Sequence, residues 1–311
     1  GPPAPPAPPP GPPPPPRRPP RRPAHSRRTW HRATVGRVRG MAIDYVARPF
    51  EGLPGETDWV AMRELVPAAT ATVRTTKEHG ARDVLVTTSL PDAWPALHRQ
   101  DDVVLLALQT RSSSGDASRD LAAVLLQALD AEPGTPVQTL GLPTPGPRLQ
   151  DVLDLDAPFE IELQTSFGYW LDESTEQTAQ VKAALEEADA SIIPTTKLAS
   201  VESAYWVRMA GREFVRWVQP LDEQVALDGL ARLHARRESG FAGHKFVGYF
   251  RACGLVVPVW ELARGTEAEE VDADIATFAP AFAAAVADDT PLDPAARRAR
   301  AGLVARQVTL R

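Results

Sequence analysis

Fifteen of the first 23 residues are proline, in the run GPPAPPAPPPGPPPPPRRPPRRP. Proline has no backbone N–H and holds φ near about −65°, so this run fits neither a helix interior nor a sheet interior. It predicts an extended polyproline II or disordered tail over residues 1–43, and leaves all packing to the chain behind it. The tail is also basic, with nine Arg and no Asp or Glu in residues 1–43. The remaining 268 residues therefore carry 25 basic and 40 acidic side chains, a balance of −15. An acidic body argues against a nucleic-acid surface there, so nucleic acid is a candidate partner only through the tail. The first methionine is Met41, directly before AIDYVARPF. Residues 1–40 are therefore expected to lie upstream of the true start.

Behind the tail the pattern is α+β. PGETDWVAMREL reads as a short helix that Thr57 or Asp58 can cap, with Trp59, Met62 and Val66 on one face and Pro67 ending it. ATATVRTT, DVLVTTSL and DDVVLLALQT read as strands. DASRDLAAVLLQALDAE is a helix with Leu121, Val124, Leu125 and Ala128 at helical spacing behind Asp116 or Ser118. Residues 44–135 form a first α+β unit on this reading, residues 136–150 a Pro/Gly-rich connection, and residues 151–311 a second α+β unit ending in a basic helix. In the second, FEIELQTSFGYWL starts as an alternating strand and EQTAQVKAALEEA is an amphipathic helix. AYWVRMAGREFVRWV is a hairpin about Ala210-Gly211, and KFVGYFRACG pairs with LVVPVWEL. Ile275, Phe278, Phe282 and Val286 share a helix face, Asp293-Pro294 opens the last helix, and the chain closes on RQVTLR.

The two halves share a strand, strand, helix order. VLVTTSL at 84–90 resembles IIPTTKL at 192–198, and VVLLALQT at 103–110 resembles EFVRWVQP at 213–220. Each pair precedes an acid-capped helix. Tandem, candidate duplicated units packed through mixed or antiparallel strands are the expected architecture.

No reactive constellation is legible by spacing. One cysteine, Cys253, excludes an internal disulfide and suits a reducing cytoplasm. It lies nine positions after His244, and its apolar surroundings read as a buried strand pair rather than a thiolate with its base. The six histidines fall in no HxH, HExxH or CxxC frame, no phosphate loop GxxxxGK[ST] or GxGxxG occurs, and no GxSxG elbow occurs. No cofactor or metal is implied. RSSSGDASRD reads as a loop with a helix cap. No apolar run approaches the roughly 20 residues that span a bilayer, so no membrane is expected.

RPFEGLPGETDWVAMRELVPAATATV, SGDASRDLAAVLLQALDAEPGTPV, KFVGYFRACGLVVPVWEL and the ending ARAGLVARQVTLR resemble an uncharacterised actinobacterial family, the domain of unknown function 5926, over roughly residues 48–311. The resemblance implies a soluble bacterial protein and supplies no functional residues. Members often begin with a short basic tail, from which the long Pro/Arg head departs.

The leading expectation is a non-enzymatic interaction or scaffold module of the cytoplasm with an unidentified protein partner. The alternative is an enzyme or small-ligand binder with its site between the units. That site would be sought near Glu56, Asp58, Arg63, Arg251 and Trp260. The first two acids also suit a helix N-terminus, where they interact with the dipole.

Overall fold

A computed structural model of the chain describes residues 45–110, 114–138 and 145–305. The Pro/Arg tail, the first three residues of RSSSGDASRD, the heart of the Pro/Gly connection and the closing RQVTLR lie outside the described residues.

The first helix, α1 (Glu56–Glu64), starts behind Gly55 in the left-handed region. Neither expected cap is used. Thr57 and Asp58 are buried, because α1 is packed on almost every side from Thr57 through Met62 and those side chains turn toward the second half of the chain. Strands β1 (Ala69–Arg74) and β2 (Asp83–Thr87) form a hairpin across a 3₁₀ turn at Lys77–His79. Then come β3 (Ala96–His98), β4 (Val104–Ala107), α2 (Ala117–Asp130), β5 (Thr135–Val137), α3 (Leu149–Val152) and β6 (Glu162–Leu163). They complete a six-stranded sheet in the order β5-β3-β4-β2-β1-β6. It is mixed: β2 and β4 run parallel and the other pairs antiparallel. Helix α2 is capped by Asp116, which accepts the Arg119 N–H. The strand expected over residues 159–163 is reduced to β6, although the burial alternation persists from Phe159 onward.

The second sheet is antiparallel throughout. It takes β7 (Thr195–Lys197), β8 (Ala204–Met209), β9 (Arg212–Trp217), β10 (Lys245–Ala252) and β11 (Leu255–Glu261) in the order β10-β11-β9-β8-β7. Both predicted hairpins are present, β8–β9 and β10–β11. Helix α4 (Ala179–Asp189) precedes the sheet and buries no residue, so its apolar stripe of Val181, Leu185 and Ala188 is only half-covered. Helices α5 (Glu223–Ala235), α6 (Ala268–Ala287) and α7 (Pro294–Ala305) complete the described chain.

The class is α+β, built from layers. One core joins α1, α2 and the first sheet to one face of the second sheet, through Trp59, Met62, Val86, Leu125, Tyr205 and Phe250 among others. A second core fills the opposite face of the second sheet under α5 and α6, with Trp206, Trp217, Trp260, Ile275 and Phe278. A small third cluster covers the outer face of the first sheet. The described residues form one compact unit.

The two strand, strand, helix runs pair differently. Strands β2 and β4 are neighbours in the first sheet, whereas their counterparts β7 and β9 are separated by β8. Among the described residues no helix is long and apolar enough to cross a membrane.

Candidate functional site

Three of the residues singled out in the sequence lie on α1, and each is bound to a different partner. Glu56 accepts two hydrogen bonds from Arg48, at 3.0 Å from Nε and 2.6 Å from Nη2. Asp58 faces the second sheet. Its Oδ2 accepts from Lys197 Nζ at 2.6 Å, and its Oδ1 accepts from Ser203 Oγ at 2.5 Å and Tyr205 OH at 2.8 Å. Thr57 Oγ1 joins the same cluster, 2.7 Å from Ser203 Oγ and 3.2 Å from Glu202 Oε1. Burial, followed by the Asp58 carboxylate, pushes the Tyr205 phenol far above its ordinary range, so it stays a donor. Asp58 is only 6% exposed and Ser203 fully buried. The carboxylate is thus saturated with donors, which fits a clamp between α1 and the second sheet rather than a base waiting for substrate. Arg63 turns to the first sheet, donating to the Leu108 carbonyl and lying 3.3 Å from Glu64.

The other two do not join them. Arg251 pairs with Glu223 at the start of α5, with Nε 2.8 Å from Oε2. Trp260 is fully buried in the second core, where its indole N–H donates to the Ser239 carbonyl at 2.7 Å. Rings of Phe241, Phe246 and Phe278 surround it. No single site gathers Glu56, Asp58, Arg63, Arg251 and Trp260.

Cys253 is not within a strand. It occupies the tight turn between β10 and β11, with positive φ there (44°) and at Gly254 (80°). Side chains at a turn of this kind leave the sheet pleat, and the strand-pair reading misplaced it by one residue. Its thiol lies 3.7 Å from Glu64 Oε1. Burial, then that carboxylate, push the thiol up to about 12, so it stays protonated at neutral pH. His244 is not its base: its Nδ1 accepts the Ala263 N–H at 3.2 Å and its Nε2 lies 3.3 Å from Asp274. Among the described residues no group of three His, Cys, Asp or Glu is placed to hold a metal.

A different residue stands out once the sheet is assembled. Arg216 on β9 is 9% exposed, yet no carboxylate pairs with it among the described residues. Its Nη2 donates to the Leu65 carbonyl at the end of α1 at 3.1 Å. Its Nε is buried without an acceptor. Burial draws the guanidinium down to about 10, which leaves it charged at neutral pH. Arg216 lines an open groove of about 220 Å³ with Met209, Phe214, Phe250 and Val259, on the face of the second sheet that also carries the first core. The sequence holds one signal for it. Arg216 interrupts FVRWV, in which Val215 and Trp217 face the second core and Phe214 and Arg216 face the other way. A charge inside a stretch that is otherwise apolar on both faces, Phe214 to Val218, has to be accounted for.

A larger cleft of about 380 Å³ opens between β6 and β7, lined by Leu163, Gln164, Asp189, Ile193 and Trp206. Two of its polar groups are engaged: Asp189 accepts the Phe167 N–H and Gln164 donates to Thr70.

A mixed sheet and an antiparallel sheet sharing one core, with a lone arginine in an apolar groove, define an α+β protein with a pocket on its second sheet. Residues 49–311 match a family of unknown function (DUF5926), and the chain belongs to that family. No curated protein and no solved structure matches it.

Proposed function

We propose that this protein is a non-enzymatic small-ligand binder of the cytoplasm whose folded body binds through the groove on β9, β10 and β11. The observation that carries this reading is the groove itself, an open apolar surface beside a buried cation. Open apolar concavities with a few polar groups are the usual form of a binding site. The engaged state of the other polar groups supports the same reading. Asp58, Glu56 and Arg63 are held by internal partners, and the Cys253 thiol is held protonated. A single cysteine, Cys253, also suits a cytoplasmic location.

The test is amide NMR of the full chain titrated with benzyl alcohol, a small neutral probe. The expected result is saturable shifts confined to Phe214, Phe250, Val259 and their neighbours. Absent shifts, or shifts spread over the surface, overturn the reading.

A further inference from the structure

The geometry points to a site for a small monocarboxylate with an apolar body, seated in the groove over β9, β10 and β11 with its carboxylate against Arg216. This rests on the groove being the binding surface. Four residues form one row across the second sheet: Gly248 opposite Val259, Val259 opposite Arg216, and Arg216 opposite Tyr205. Directly opposed residues present the same face. Gly248 has no side chain to contribute, and a Cβ built there meets nothing within 4 Å. The row is therefore open at one end and floored by a guanidinium further in. Phe214 and Phe250 lie on the same face and supply the apolar walls.

The charge decides the class of ligand. The carbonyl of Leu65 lies at the C-terminus of α1, which offers Arg216 the partial negative charge of a helix end and no more. A buried cation left in that state is costly, and an anion entering the groove relieves it. One guanidinium balances one charge. A phosphate dianion would leave a second charge against apolar walls, whereas a carboxylate matches both the charge and the planar donor geometry of arginine. Size narrows it further. At roughly 30 Å³ per water the groove holds about seven water-sized groups. A cavity of about 150 Å³ already accepts a benzene ring. An aryl or short alkyl acid fits within the groove.

Calorimetric titration of the full chain with phenylacetate tests this, against phenylacetamide as the neutral isostere and phenyl phosphate as the dianion. Phenylacetate is expected to bind at least tenfold more tightly than either. Arg216→Met should abolish that preference while benzyl alcohol still shifts the groove amides, and Arg216→Lys should restore part of it. Val259→Phe, which leaves the guanidinium intact and fills the groove, should abolish phenylacetate binding. Equal binding of acid and amide overturns the inference, as does a preference that survives Arg216→Met or binding that survives Val259→Phe. Benzyl alcohol shifts without phenylacetate binding overturn the carboxylate assignment alone; loss of both overturns the groove as a binding surface as well.

Discussion

At the scale of single residues, Asp58 and Glu56 are neighbours on α1 with opposite energetic standing. Asp58 accepts from three donors, and its removal leaves the buried Tyr205 hydroxyl without its acceptor, strips Ser203 of one of its two, and frees a Lys197 ammonium that is 32% exposed. Asp58→Ala is expected to lower unfolding free energy by about 3 kcal/mol, since unpaired buried polar groups carry their full desolvation penalty. Glu56 pairs with an Arg48 side chain that is 28% exposed, so Glu56→Gln should cost about 1 kcal/mol or less. Urea unfolding of the two variants checks both. A loss below 1 kcal/mol for Asp58→Ala would show that the cluster does not clamp the helix. The clustering of acids in EGLPGETDW singled out Asp58, but as a cap or a candidate acid–base group. Its real partners stand 139 to 147 positions away, beyond any spacing rule.

At the scale of elements, the second sheet is organised by two hairpins whose turns share a backbone form. Ala210-Gly211 and Cys253-Gly254 both place two successive residues at positive φ. Turns of this kind match the twist of the flanking strands and favour Asn-Gly. Ala210 at a φ of 50° adopts a left-handed conformation that disfavours alanine. Ala210→Asn should therefore stabilise the protein by about 1 kcal/mol and raise Tm by roughly 2–4 °C for a domain of this size, as read by thermal melting followed by circular dichroism. An unchanged or lower Tm would mean the turn is limited by something other than backbone conformation. The hairpins, α2 with its Asp116 cap and α7 with Asp293 accepting the Ala296 N–H are legible in the sequence, because each depends on residues within a few positions of one another. Thr57 and Asp58 have the right chemistry for two jobs, a helix cap and a tertiary contact, and burial against the second sheet assigns them the second.

For the whole molecule, the first core matters most. It draws on α1, α2, the first sheet and one face of the second, so neither sheet can lose its packing alone. Differential scanning calorimetry is expected to give a single transition with equal calorimetric and van't Hoff enthalpies. Two resolved transitions would show that the sheets melt independently.

The α+β class, the hairpins, the strongly periodic helices and the family are readable from the order of residues alone, because turn chemistry and helical spacing act over a few residues. The tertiary structure alone decided the order of strands, which separates β7 from β9 where β2 and β4 are neighbours, and the closure of Asp58 by the second sheet. It also decided that Arg216 lies beside an apolar groove rather than beside a carboxylate. These outcomes depend on which distant strands meet and which faces they cover, and burial turns the same side chain from a solvated charge into an anchor.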